Sequence, residues 1–198
     1  MIEYLIAYLV GSINFAFLIA RFLFKEDLSR FGDENLGATN LYYLIRDKYE
    51  NKKLAFLLFL LTGFLDALKA FLIALFFGPL VGSFVVFGHC FSIFSIILTK
   101  KIPSGVGFAS TIGWVFATDI KIFLFMILFI PFYFLFGKYF EVERGHIFTI
   151  FAYPLSGWIY TILFPNNYEI IYSLLIIVIS VSFARLLRIR KTLERCLK

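Results

Sequence analysis

Six long apolar runs, parted by short polar or proline-bearing breaks, make up most of the chain. They cover residues 2–24, 54–77, 80–98, 120–136, 147–164 and 170–187, each near the roughly 20 residues a helix needs to cross a bilayer. Gly78-Pro79 separates the second run from the third, because proline removes a helical hydrogen bond. Pro165-Asn166-Asn167 separates the last two in the same way. A seventh, shorter segment at 106–118 is rich in Gly107, Ala109, Ser110, Gly113 and Ala117, a composition suited to a helix packed closely among neighbours. The stretch 21–53 is the longest polar insertion. It mixes charged and small residues from Glu26 to Asn40, and 41–49 predicts a helical turn or two.

Charge placement decides between six spans and seven. Seventeen of the nineteen Lys and Arg residues fall in 21–53, 100–101, 138–144 and 185–198. The breaks at 78–80, 118–120 and 165–168 carry none, and Lys121 is the one cation that sits just beyond such a break. Cations that skip alternate loops mark a chain threading a bilayer with its basic loops inside. Lys100-Lys101 and 138–144 then lie on one side, so two crossings separate them and the short segment counts as a span. The expected fold is an all-α integral membrane bundle of seven transmembrane helices in a single domain over 1–198. Its N-terminus is outside and its C-terminus cytoplasmic.

Composition agrees: 61% of residues are hydrophobic, 16% are charged, and there are 28 Phe among 198 residues. Such a chain would leave too much apolar surface against water, a problem lipid removes. The net charge of +6 does not indicate nucleic acid, because it lies in juxtamembrane loops that suit lipid headgroups and anionic substrates. Cys90 and Cys196 support neither a disulfide framework nor a cysteine metal site. The N-terminus enters apolar sequence without a basic region or small-residue cleavage site, so it reads as a retained first span.

Polar residues inside the runs are the candidates for chemistry. Gly11-Ser12 allows close helix packing, and the Asn14 amide needs a partner within the bundle. Asp66 and Lys69 stand three apart on one helix face at mid-span depth. They read either as a self-satisfied ion pair that specifies packing or as the wall of a polar cavity. His89 follows Gly88 and precedes Cys90, Ser92 and Ser95. It is a hydrogen-bonded structural residue or a neutral imidazole serving as general base. Two histidines, His89 and His146, without carboxylates at metal-binding spacing give no metal site. The segment Lys100-Lys101-Ile102-Pro103-Ser104-Gly105-Val106-Gly107 is basic and glycine-bearing, and it opens the short fourth helix. Backbone N–H groups and a helix dipole there suit an anion. Together these residues suggest a binder of phosphorylated compounds near the headgroups.

On these residues the chain resembles the acyl-phosphate-dependent glycerol-3-phosphate acyltransferases of bacteria, the PlsY family, nearly end to end. Tyr8-Leu9-Val10-Gly11-Ser12 matches the family's opening. Asp27-Leu28, then Gly32-x-x-Asn35-x-Gly37-Ala38-Thr39-Asn40, matches its first cytoplasmic motif. Asp66-x-x-Lys69 and Gly88-His89 followed by Phe94 resemble its second-span and third-span motifs. The resemblance implies seven spans in the cell inner (plasma) membrane with a cytoplasmic active face. It implies acyl transfer from acyl phosphate to glycerol 3-phosphate, giving lysophosphatidate and phosphate for phospholipid synthesis, with membrane lipid around the protein. His89 and Asn40 would be catalytic, and Asn35, Gly37, Thr39, Arg46, Lys69, Lys100, Lys101 and Gly105 would bind substrate, with no metal and no cofactor. An activated donor requires only that two anions be positioned and screened, so no covalent enzyme intermediate is needed. Phe94 and Phe151 stand where an HxxxxD arrangement would put its Asp after His89 and His146, which argues against acyl-CoA as donor.

Several positions depart from the family pattern. Asp33 and Glu34 replace a Ser and a Gly, Tyr43 replaces an Arg with Arg46 one turn on, and Val106 replaces a Lys. Arg188-Ile189-Arg190-Lys191-Thr192 takes the place of the usual C-terminal motif. Carboxylates beside phosphate would weaken binding. A second reading therefore stays open: a family member that kept the fold and acts as membrane scaffold, lipid binder or small transporter.

Overall fold

The computed structural model describes residues 1–32, 34–128 and 144–196, with side chains described at 1–32, 34–128 and 153–188. Asp33, Glu143, the second half of the 120–136 run and the side chains of His146 and Arg190 lie outside the described residues. All regular structure among the described residues is helical. In chain order it comprises α1 (Ile2–Gly11), α2 (Phe15–Leu23), a 3-10 turn (Leu28–Arg30), α3 (Ala38–Lys48), α4 (Lys52–Phe77), α5 (Pro79–Cys90), α6 (Ile93–Thr99), α7 (Phe108–Thr118), α8 (Ile120–Ile127), α9 (Arg144–Leu163) and α10 (Tyr168–Cys196). Three stretches are long and apolar enough to cross a membrane: Lys52–Phe77, Pro79–Thr99 and Tyr168–Arg188. The bent pair α1 and α2, meeting at 48°, makes a fourth if taken as one span.

Two expected runs are broken. The first divides at Ser12-Ile13-Asn14. The third divides at Phe91-Ser92, where the Ser92 hydroxyl caps α6 by accepting from the Ser95 amide at 3.1 Å. The 106–118 segment forms α7 from Phe108, and the expected turns at 41–49 are the C-terminal part of an eleven-residue helix that begins at Ala38. Burial is that of a lipid-embedded bundle. Along α10, Tyr172, Leu175, Ile179, Phe183 and Leu186 are exposed while Leu174, Ile177, Val181, Ala184 and Arg188 are buried, so large apolar groups face outward. Helices α1 and α5 meet backbone to backbone. A Cβ at Gly11 would fall 2.3 Å from the Val85 carbonyl, and one at Gly88 would fall 2.3 Å from that of Tyr8.

The connections gather into two sets. In one, the Leu36 amide donates to the Ser104 carbonyl at 3.0 Å, Lys101 reaches the Ser29 carbonyl, and Arg188 reaches Ser104. In the other, Glu169 accepts from the Leu80 amide, Tyr160 donates to Asp119 at 3.0 Å, and Asn167 donates to Tyr160 at 2.9 Å. The first set joins the basic stretches 21–53, 100–101 and 185–198. The second joins the breaks without Lys or Arg. Lys121 belongs with the second set, held 3.8 Å from Asp119 and over the Phe164 ring.

Candidate active site

The break between α1 and α2 accommodates a buried charge, that of Lys69. Ending α1 at Gly11 leaves carbonyls without helical partners, and Lys69 Nζ donates to two of them, Gly11 at 3.1 Å and Ile13 at 2.6 Å. The same ammonium lies 2.7 Å from Asp66 Oδ1, with side chains only 6% and 4% exposed. A buried charge is tolerated when paired and hydrogen-bonded in this way. The expected pair therefore exists, and it has a further neighbour: His89 Nδ1 lies 3.2 Å from Lys69 Nζ and 3.4 Å from Asp66 Oδ1.

This arrangement constrains the imidazole. Lys69 Nζ is within hydrogen-bond reach of the Gly11 and Ile13 carbonyls and of His89 Nδ1, and it makes an ion pair with Asp66 Oδ1. Nδ1 faces the Lys69–Asp66 pair, and Nε2 is the ring nitrogen on the Gly105 side. That edge of the ring abuts Gly105, where a Cβ would fall 2.4 Å from Nε2. The Gly105 loop is fastened from several sides through Ser104. Its hydroxyl donates to the His89 and Cys90 carbonyls at 3.0 Å each and accepts from the Ser92 amide at 2.8 Å. Its own amide donates to Cys90 at 2.9 Å. Nearby, Asn14 donates to Ser95 at 3.1 Å, and Ser92 donates to the Ser12 carbonyl. The polar stripe of the third run thus closes the gap left by the first.

The 31–37 loop reaches the same place through Leu36 and Ser104. Asn40 shapes that loop from within: its Nδ2 donates to the carbonyls of Leu28 at 3.1 Å, Phe31 at 2.8 Å and Asn35 at 2.8 Å. Asn35 is buried at the turn and Gly37 is the N-cap of α3, while Thr39 is exposed in its first turn. Lys101 pairs with Glu34 at 3.0 Å. Lys100 is exposed just after α6 in a left-handed conformation (φ 56°). Arg46 is turned to its own helix: it pairs with Asp47 and stacks over the Tyr42 and Tyr43 rings. The hydrogen bond between them holds the Arg46 guanidinium above its ordinary pKa and Asp47 below the usual carboxylate range.

Of the residues singled out in the sequence, His89, Lys69, Asp66 and Gly105 form one buried cluster. Asn40, Asn35 and Gly37 build the loop beside it, Lys101 ties the two loops together, and Arg46 faces elsewhere. Sequence reasoning gave no individual role to Ser104, named only within the basic loop, or to Arg188, whose Nη2 donates to the carbonyls of Pro103 at 3.2 Å and Ser104 at 3.1 Å. Arg188 was marked by its place in a basic stretch, a topological signal, and as the start of the segment that replaces the family's C-terminal motif.

Known proteins resemble this chain in sequence and in fold. A glycerol-3-phosphate acyltransferase of Campylobacter lari is 36% identical over 122 residues, 57% of each chain. That of a Nitratiruptor species is 34% identical over 119 residues, 56% of this chain and 54% of the relative. That of Anaplasma marginale is 33% identical over 131 residues, 62% and 59% respectively. The chain thus spans somewhat over half the length of the curated relatives it matches. Two crystal structures of PlsY, an integral membrane glycerol 3-phosphate acyltransferase, superpose on 99% of this chain and 90% of their own. The glycerol 3-phosphate form has a TM-score of 0.70 at 28% identity, and the lysophosphatidic acid form has 0.64 at 26%. The family model described as glycerol-3-phosphate acyltransferase matches residues 1–198, and the chain belongs to that family.

Proposed function

We propose that this chain transfers an acyl group from acyl phosphate to the hydroxyl of glycerol 3-phosphate. The products are lysophosphatidate and inorganic phosphate, supplied to phospholipid synthesis. The observation that carries the reading is the buried Asp66–Lys69–His89 cluster with the Ser104–Gly105 loop against its imidazole, in a chain whose family match is complete. The acceptor hydroxyl oxygen bonds to the acyl carbon, and the bond from that carbon to the phosphate oxygen breaks. His89 Nε2 takes the hydroxyl proton and returns it to the departing phosphate. Asn35, Gly37, Thr39, Lys101 and Gly105 form the phosphate-facing loops, and Asn40 holds the first of them in shape.

Seven spans, with the N-terminus outside and the C-terminus inside, put this site at the cytoplasmic face of the inner membrane. The gathering of the basic stretches in one set of contacts, and of the cation-poor breaks in the other, supports that orientation. The reading as a repurposed scaffold rested on the carboxylates of the first loop. Glu34 is paired with Lys101, which screens its charge, while Asp33 lies outside the described residues. The purified chain in nanodiscs, given palmitoyl phosphate and glycerol 3-phosphate, is expected to release lysophosphatidate and phosphate in equal amounts. Release of phosphate without lysophosphatidate would contradict the reading.

A further inference from the structure

Four segments meet at Ser104: the end of α5 through His89 and Cys90, the start of α6 through Ser92, the first loop through Leu36, and α10 through Arg188. Arg188 brings a guanidinium into this junction. It is 7% exposed, near the inner end of a helix whose other face meets lipid. A guanidinium there would ordinarily extend toward the headgroups. Instead it turns inward onto the Pro103 and Ser104 carbonyls, an arrangement whose desolvation must be offset by what it organises.

The consequence lies one peptide further on. The Ser104–Gly105 peptide is trans, the cis peptide among the described residues being Ile102–Pro103. Its N–H therefore points opposite to its C=O. The Ser104 C=O is directed at Leu36 and Arg188, so the Gly105 N–H is directed away from them. A cation on the carbonyl polarises the peptide and strengthens its N–H as a donor. The same Gly105 packs against His89 Nε2.

We infer that Arg188 is a positioning residue for acyl transfer. It fixes and polarises the Ser104–Gly105 peptide so that its N–H receives a substrate phosphate beside His89. The inference rests on the acyl-transfer reading for its substrate and on the Ser104 junction for its geometry. Loss of a charge-assisted contact to phosphate predicts a change of about tenfold in binding. It appears in KM, since both ground state and transition state carry the phosphate.

The test compares the native chain with Arg188→Gln and Arg188→Lys in nanodiscs. It measures KM and kcat for glycerol 3-phosphate, inorganic phosphate binding by calorimetry, and thermal unfolding. Arg188→Gln is expected to raise KM and weaken phosphate binding about tenfold with kcat within about threefold, and Arg188→Lys to recover part of the loss. Unchanged KM and phosphate affinity in Arg188→Gln would overturn the inference. If Arg188→Gln does not fold, Arg188→Lys decides: weaker phosphate binding at native-like stability supports the role, and unchanged binding overturns it. The two readings fail separately. A native chain without turnover that binds phosphate, and loses it in Arg188→Gln, upholds Arg188 while overturning acyl transfer. A native chain that binds no phosphate overturns the role of Arg188.

Discussion

A methyl group at position 105 would lie 2.4 Å from His89 Nε2 and 3.0 Å from the His89 carbonyl, so the loop cannot carry it without moving off the imidazole. Gly105→Ala is expected to lower kcat by at least about tenfold, because an ångström of misplacement at reacting groups is costly. Steady-state kinetics beside a thermal melt would separate this from unfolding, and native kcat in Gly105→Ala would show that the loop does not adjoin the reaction. Asp66 makes a different prediction. Its carboxylate balances Lys69 and lies 3.4 Å from His89 Nδ1, and breaking a buried pair from one side costs about 3–5 kcal/mol. Asp66→Asn should therefore unfold at markedly lower denaturant in mixed micelles. An unchanged midpoint would mean that the Gly11 and Ile13 carbonyls alone satisfy Lys69.

At the scale of the elements, the two loops beside His89 are joined by groups of opposite charge. Lys101 lies between Glu34 and the Ser29 carbonyl, so Lys101→Met removes its cation from beside Glu34. The expected result is a KM for glycerol 3-phosphate raised about two- to fivefold at low salt, with the difference shrinking as salt is added. Glu34→Gly in that background should reverse it, and a KM indifferent to both changes would place the pair away from substrate. The helices themselves were largely legible in the sequence, since long apolar runs and Pro79 or Pro165 set their ends. The breaks inside runs 2–24 and 80–98 were less so. Ser12, Asn14 and Ser92 mark them, but each is a single polar residue whose partner lies about 80 positions away. His89 and Lys69 stood out because a polar group in a span must meet something. Arg188 did not, because near a helix end the same residue type serves as a topological anchor, and only the rotation of α10 turns it inward.

For the whole molecule, the account requires that the two sets of connections lie on opposite sides of the bilayer. A cysteine introduced at Asn166 is expected to react with an impermeant maleimide in intact cells, and one at Lys52 only after permeabilisation. Labelling of Lys52 in intact cells would reverse the orientation and put the site outside. The proposed function turns on the imidazole beside Asp66 and Lys69 acting as the base for acyl transfer. The most direct test is kcat for lysophosphatidate formation by the native chain and by His89→Gln, in the same nanodiscs and with thermal unfolding recorded for both. The account predicts a loss of at least about a hundredfold in kcat with unfolding near native, the size expected for a positioned general base. A His89→Gln chain that keeps its kcat within about threefold would contradict it.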